Sequence, residues 1–508
     1  MKYALTAKAM QYLDEYTISK GIPSAVLMEN AARGVVEEIV RRFPSKDQKV
    51  LVLAGPGNNG GDAVCAARWL ARLGFDVRIY FIGNRSRISK EFARQARIAR
   101  KQHPSLEIIG GSNNESDLEV LRDEYDIIVD GMFGTGLNRR FGVNFAKFIE
   151  YINNKKAFIV AIDVPSGLNA TTGQAMDAII KANLTVTFSN YKTGMFFAEG
   201  RDACGEVVVV DIGANENALS YIDDKLIICD EAFFESTWSR AIRPRVRRSH
   251  KGTYGTVGIV VGNNAMLGAS MLAARAAYRT GCGLVRIFCP SKFVGFFSIS
   301  IPEAVIVPYR PEDVVGAFNR FAKTVDVILI GPGLPEDSTG KLLVRQVLSG
   351  TTPAVLDAGA LNIIAGNLKP FKRRSCPCVI TPHVGEMARL CNEEPAIVKK
   401  NIIAFTKKFS QVFNVSMVTK SDVSVVSLVS GKGDQRMFLN TMGNSGLATA
   451  GSGDVLAGVI ASLIAQHNPL ANSLLYGVMV HARAADKFGV DENARRRMMA
   501  GDIVDNLF

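Results

Sequence analysis

"GNSGLATAGSGDVLAGVIASLIAQH", residues 443–467, holds a single charge between Gly446 and Ala465, the carboxylate of Asp454. A run of about 20 small and apolar residues is long enough to span a bilayer. The lone acid argues against that reading, because a carboxylate near the middle of a membrane costs several kcal/mol. Gly-Ser-Gly followed by Asp makes better sense as a loop that opens a helix. Glycines let a backbone approach a ligand closely. The first N–H groups of a helix are free to point at an anion, and the helix dipole favours negative charge there. The helix itself, "DVLAGVIASLIA", is apolar on nearly every face, so it is expected inside a folded domain. Taken alone, Asp454 reads equally well as an N-terminal cap, a role that aspartate favours.

Around this stretch the chain is built from short apolar runs separated by helical periods. "KVLVLAG", "DVRIYFIG", "YDIIVDGMFG", "KAFIVAIDVPSG", "LTVTFSN" and "GEVVVVDIG" occupy the first half. "GTVGIVVGN", "GLVRIFCP", "VDVILIGPG", "PAVLDAGALN", "CVITP" and "VSMVTKSD" occupy the second. Runs of four to six apolar residues, each followed by an amphipathic stretch, indicate parallel strands with crossover helices. The pattern breaks between residues 215 and 230, so two α/β domains are expected, residues 1–218 and 225–508. In open parallel sheets ligands sit at the carboxyl ends of strands. The glycine-rich and acidic motifs of both halves fall in the loops that follow the apolar runs.

In the second half, "GNNAMLGASMLAARAAYRTGCGLV", "GPGLP", "LDAGALN", "TPHVGEMARL", "TKSDVSVV" and "GNSGLATAGSGDVLAG" occur in that order. Together they resemble the ADP- or ATP-dependent NAD(P)H-hydrate dehydratases of the ribokinase-like superfamily. The resemblance implies a ribokinase-like α/β fold and an anion hole at "GSGD". It makes Gly453 a nucleotide contact and Asp454 the base toward the attacked hydroxyl. It assigns Lys420, Ser421, Asp422, Val423 and Ser424 to the adenine nucleotide, and Ala269, Gly333 and His383 to the hydrate. Magnesium would accompany the nucleotide phosphates. Two positions depart from the family pattern, Pro335 and Ser421, where glycine is usual. Read without the family, His383 also fits a structural loop histidine, and Lys420 a solvated strand-end lysine. "LDAGALN" reads mostly as packing, and Asp357 is given no catalytic role. His103, His250, His467 and His481 have no partner cluster visible in the sequence.

In the first half, "LAGPGNNGGDAVCAARWL" follows a strand and opens a helix, but it is neither a dinucleotide fingerprint nor a Walker loop. Its glycines offer backbone N–H groups at a helix start. The plainer reading is a tight turn with Asp62 as cap. "VDGMFGTGLNRRF" and "AIDVPSGLNATTG" close two further strands, so three loops are expected to converge on one crevice. With the opening "LTAKAMQYLDEYTISKGIPSAVLMENAARGV" they resemble the NAD(P)H-hydrate epimerase domain, a Rossmann-like doubly wound fold. The resemblance implies a potassium ion held by Asn59, Asp130 and Ser166. It implies hydrate contacts from Asn58, Asn59, Gly60, Gly61 and Asp62, from Gly134, Thr135, Gly136, Leu137, Asn138, Arg139 and Arg140, and from Asp163. Oxygen ligands with one carboxylate suit a hard cation of low charge. Asp163 is the expected acid–base group, with Lys192 second. Ala63 stands where that family commonly has glycine. As a whole the chain resembles the bifunctional NAD(P)H-hydrate repair enzymes of prokaryotes, in which one half interconverts the two hydrate epimers and the other dehydrates one of them.

The totals agree with a large enzyme acting on phosphorylated metabolites. The chain has 508 residues and a formal net charge of +12. The basic residues are dispersed apart from one run, "RAIRPRVRRSHKG", so anionic small molecules fit better than nucleic acid. Eight cysteines without paired-knuckle spacing suit a reducing cytoplasm. Acidic residues interrupt the N-terminus before any apolar core forms, unlike a signal peptide. No membrane partner is expected, and association into identical copies is. Two other functions compete: a ribokinase-like kinase of a small vitamin precursor, and a nucleotide-binding protein without catalysis.

Overall fold

The computed structural model describes residues 1–110, 121–137, 140, 143–262, 266–431 and 433–508. The chain divides into two compact units, one from Lys2 to Leu226 and the other from Ile227 to Phe508 together with Met1.

The first unit is built on β1 (Lys49–Ala54), β2 (Asp76–Phe81), β3 (Ile108–Gly110), β4 (Ile127–Gly131), β5 (Phe158–Ile162), β6 (Leu184–Phe188) and β7 (Glu206–Val210). They lie in the order β3-β2-β1-β4-β5-β6-β7, and every neighbouring pair is parallel. Alternate residues feed two cores. Val50, Val52 and Val129 pack on one face with the helices Ser24–Arg42 and Asn58–Leu73, while Leu51, Leu53 and Ile128 pack on the other. Burial on both faces is why these strands read as continuous apolar runs rather than alternating ones. The strand order reverses between β1 and β4, and the loops after both strands open at that crevice. This is a Rossmann-like doubly wound sheet.

The second unit contains β8 (Thr256–Val260), β9 (Leu284–Pro290), β10 (Val305–Tyr309), β11 (Val327–Ile330), β12 (Ala354–Leu356), β13 (Cys378–Ile380), β14 (Ser416–Thr419), β15 (Ser424–Val429) and β16 (Gln435–Asn440). Their order is β10-β9-β8-β11-β12-β13-β14-β15-β16. The pairs from β10 to β14 are parallel, and β14, β15 and β16 form antiparallel hairpins. Helices cover both faces over two separate cores, as in ribokinase-like proteins.

The apolar stretch quoted above becomes the helix Ser452–Ala465, buried at every residue from Val455 to Ala465. Its 14 residues reach only about 21 Å, well short of a bilayer's hydrocarbon core of about 30 Å. Among the described residues no helix is long and apolar enough to cross a membrane. The helix packs against Leu267–Thr280 so tightly that a methyl group on Gly458 would lie 2.2 Å from the Ala273 carbonyl oxygen. All eight cysteines are free, and the close pair Cys376 and Cys378 is buried in the core.

Candidate active sites

In the second unit, a helix start and three strand ends meet around one half-buried cation. Lys420 follows β14, and its Nζ lies 2.8 Å from Asp357 Oδ1, at the end of β12, and 4.0 Å from Glu386 Oε2. Burial opposes the charge on Lys420, but Asp357, Glu386 and Asp454 outweigh it and hold the ammonium above its usual pKa. Lys420 is therefore not a solvated strand-end lysine. Asp357 is 1 % exposed, so its part in this cluster goes beyond the packing expected of "LDAGALN".

The "TPHVGEMARL" motif contributes a second layer. His383 caps the helix Val384–Cys391, its Nδ1 accepting the N–H groups of Gly385 and Glu386 at 2.9 and 3.3 Å. Glu386 closes the box by accepting the His383 backbone N–H at 2.8 Å. With Nδ1 accepting, a neutral His383 carries its proton on Nε2 and presents a donor. Burial and then the charges of Lys420 and Arg389 lower its pKa, favouring that neutral form. Burial raises Glu386, and Asp357 adds to this while Lys420 opposes it. His383 is thus a structural cap, with its Nε2 turned towards Glu386 Oε1 at 3.5 Å.

Gly453 brings the helix start onto this cluster: a Cβ there would lie 3.2 Å from Lys420 Nζ and 3.9 Å from Asp357 Oδ2. Asp454 is not the cap. Gly451 holds that position in the left-handed region at φ 88°, which places Asp454 in the first helical turn. Among the described residues Asp454 has no hydrogen-bond donor for its carboxylate, and burial, then Asp357, push its pKa up to about 6 against the pull of Lys420. A carboxylate so placed is suited to take a proton near neutrality. His481, read from sequence as background, is buried beneath the same turn, with Nε2 3.3 Å from Ser452 Oγ.

Gly333 adopts φ 68°, and a Cβ on it would meet the Met266 carbonyl oxygen at 2.3 Å. Ala269 is half-buried in the first turn of Leu267–Thr280, where its neighbour Ser270 donates to the Pro332 carbonyl at 3.1 Å. Ser421 and Asp422 form an exposed turn through a 2.6 Å hydrogen bond, Val423 is buried, and Ser424 opens β15.

In the first unit the three loops do converge, on a crevice of ≈ 1220 Å³ lined by Asn58, Asn59, Asp62, Gly134, Thr135, Gly136, Leu137, Arg140 and Asp163. Gly60 and Gly61 are not among its lining residues. A Cβ at Gly60 would lie 1.8 Å from the Gly55 carbonyl oxygen, so this glycine serves the close packing of helix on strand. Nor is Asp62 a cap, because the helix Asn58–Leu73 begins four residues earlier, after Gly57. Arg140 is exposed and lies 3.6 Å from Asp177. Asn138 and Arg139 lie outside the described residues.

Behind the lining residues Met132 and Phe133 sits Asp130, fully buried. Its Oδ1 accepts the Ser166 hydroxyl at 2.6 Å and its Oδ2 the Ser166 N–H at 2.7 Å. Burial raises its pKa to about 6 despite these bonds. Among the described residues no cation pairs with it. Asn59, 9 % exposed, has a buried Nδ2 with no partner. A half-turn of that amide would exchange the unpartnered N–H for an oxygen.

Asp163 ends β5 in the left-handed region at φ 66°, a costly backbone for a non-glycine residue. Its Oδ1 accepts from Lys192 Nζ, and more distantly from Thr187 Oγ1 at 3.3 Å and the Phe188 N–H at 3.4 Å. Lys192 is fully buried and also donates to Thr187 Oγ1 at 2.8 Å and the Phe188 carbonyl at 3.1 Å. The two expected acid–base residues are therefore one ion pair.

The fold and these two sites define a two-part α/β protein, with a cation-backed helix start in one part and a carboxylate-floored crevice in the other. The chain belongs to the family of bifunctional NAD(P)H-hydrate repair enzymes. It is 34% identical over 520 aligned residues to the bifunctional NAD(P)H-hydrate repair enzyme of Moorella thermoacetica, covering 99% of this chain and 96% of that one. It is 31% identical to the bifunctional NAD(P)H-hydrate repair enzyme of Coxiella burnetii, over 98% of this chain and 97% of the relative. The family model described as NAD(P)H-hydrate dehydratase matches residues 257–507, and that described as YjeF-related protein N-terminus matches residues 24–194. Among solved structures, the ADP/ATP-dependent NAD(P)H-hydrate dehydratase of Bacillus subtilis, co-crystallized with ATP/Mg2+, is 28% identical over 56% of this chain and 96% of its own, with a TM-score of 0.47.

Proposed function

We propose that this chain repairs hydrated NADH and NADPH, epimerising the R and S forms and dehydrating the S form at the expense of ADP or ATP. The observation that carries this reading is Asp454, an unbonded carboxylate in the first turn of a buried helix, next to the Asp357–Lys420 pair. The division into units supports assigning epimerisation to residues 1–218 and dehydration to residues 225–508.

For dehydration, Asp454 takes the proton of the hydroxyl on ring carbon six as its oxygen attacks the terminal phosphorus. AMP leaves from ADP, or ADP from ATP. The free N–H groups of the helix start, with Gly453 among them, and the Lys420 ammonium stabilise the phosphoryl charge. The ring nitrogen then expels phosphate, and loss of a proton from carbon five restores the dihydropyridine. Ala269, Gly333 and His383 would contact the hydrate, and Lys420 to Ser424 the nucleotide. Magnesium would neutralise the nucleotide phosphates as their counter-ion. Among the described residues no group of three or more His, Cys, Asp or Glu side chains is arranged to hold a metal ion.

For epimerisation, Asn59, Asp130 and Ser166 would hold potassium. The buried, cation-free Asp130 and the orphaned Asn59 amide fit such an ion. When bound it supplies positive charge beside the hydrate's phosphates. Asp163 serves as an acid–base group, kept in place by Lys192. Eight free cysteines support a cytoplasmic setting. Association of identical copies is part of the proposal, to be checked by light scattering. The deciding experiment incubates the protein with mixed hydrate epimers and ADP and follows the return of dihydronicotinamide absorbance. No return with either ADP or ATP would sink the reading.

A further inference from the structure

Epimerisation at carbon six needs two proton-handling groups. The carbon–oxygen bond breaks as an acid protonates the departing hydroxyl, releasing water and leaving a cation conjugated with the ring nitrogen. Water then adds to the other face of that cation, and a base takes the surplus proton. The reverse direction exchanges the two roles. Asp163 alone does not supply both, because one carboxyl group cannot serve as acid on one face of the ring and base on the other, and its Oδ1 already accepts from Lys192.

The helix Ala7–Ser19 offers the second group. It lies outside the matched family model, which begins at residue 24. Its face formed by Ala7, Lys8, Gln11, Asp14 and Ile18 nevertheless lines the same crevice as Asn59, Asp62 and Asp163. The helix is fixed on its other side: Ala9, Met10 and Leu13 pack against Ala218, Leu219 and Ile222. Thr6 caps its start, and the Ala7 N–H donates to Thr171 Oγ1 at 3.0 Å. Asp14 thus faces the crevice from a rigid element, half-buried and with no hydrogen bond to another described residue. The unpartnered, buried amide of Asn59 in the same wall marks this crevice as a place where a ligand completes the polar contacts.

We propose that Asp14 is the second acid–base group of the epimerisation, working with Asp163. This rests on the epimerase reading of the crevice. Burial, then the charge of Asp163, lift the Asp14 pKa to about 6, with Lys192 opposing and Glu15 adding a little. A group poised there can give and regain a proton near neutrality. Asp62 is less suited: burial, then Asp163 and Asp14, hold it well above the usual carboxylate range.

The test uses the full chain and each purified hydrate epimer. Asp14→Asn is expected to slow interconversion in both directions by about 100-fold or more, the lower end of what a proton-transfer group contributes. Asp14→Glu should restore at least part of that loss. Both variants should dehydrate the S form with ADP at the parent rate, and Asp14→Asn should unfold no lower than the parent. Interconversion by Asp14→Asn within about threefold of the parent would overturn the inference, as would a loss that Asp14→Glu does not relieve. Inactivity of Asp62→Asn beside normal Asp14→Asn would overturn it too. A parent chain unable to interconvert the epimers would instead sink the epimerase reading itself.

Discussion

The ammonium of Lys420 lies 2.8 Å from the carboxylate of Asp357, with the cation only partly exposed and the acid nearly sealed. Removing the cation leaves Asp357, Glu386 and Asp454 facing one another in a poorly solvated place. Lys420→Ala should therefore destabilise the second unit by roughly 3–5 kcal/mol. Chemical denaturation of the chain checks this, and an effect below about 0.5 kcal/mol would mean that the pair is solvated after all.

Lys420 also sets the protonation of Asp454. With Asp454 raised to about 6 and required as a base, kcat/KM for dehydration should fall as the pH drops through that value. Lys420 lowers the Asp454 pKa, so Lys420→Met should move the midpoint of the profile to higher pH. A midpoint that stays put, or moves down, would remove Lys420 from the electrostatics of the base.

Asp454→Asn should reduce dehydration by about two to four orders of magnitude while nucleotide still binds. It should also stabilise the fold. The folded-state pKa, about 6, lies above the usual 3.8, so charging Asp454 disfavours folding once the pH exceeds the unfolded value. The gain from Asn is expected at roughly 1–3 kcal/mol above pH 6 and should vanish as the pH falls towards 4. Thermal melts at both ends of that range decide the point.

The first unit has its own test. Asp130→Ala should weaken epimerisation and its stimulation by potassium chloride over sodium chloride, while dehydration of the S epimer continues at the parent rate. Equal loss of both activities would point to a collapsed protein instead.

Two units imply two separable activities. A fragment of residues 225–508 should dehydrate one epimer with ADP and leave the other to react only as fast as it converts spontaneously. Adding the separate N-terminal fragment, residues 1–224, should restore full consumption. A C-terminal fragment that consumes both epimers equally fast would refute the division of labour.

The sheets were legible because strands buried on both faces must be apolar throughout, and the loops that follow them carry the motifs. "GSGD" was legible as a helix start, but its cap was not: the left-handed backbone of Gly451 takes the role that aspartate chemistry suggested for Asp454. Asp357 was passed over because its partner is 63 residues away in sequence. His481 was missed for the same reason, its contact with Ser452 spanning 29 residues. Its only local signal was a histidine within an apolar helix. Gly60 read as a ligand contact, since a motif does not reveal which side of a helix start turns towards its own strand.

Gly451 carries a consequence for inheritance. It sits at φ 88°, and a Cβ there would lie 2.6 Å from Leu272 Cδ1 and 3.1 Å from Ala500 Cβ. Every missense change that one nucleotide can make in a glycine codon introduces a side chain, the smallest being alanine. All of them meet both the backbone penalty and the clash. In a population of random mutants selected for hydrate repair, this codon should therefore tolerate only silent change, while the codon for Val305, exposed on the edge strand β10, drifts more freely.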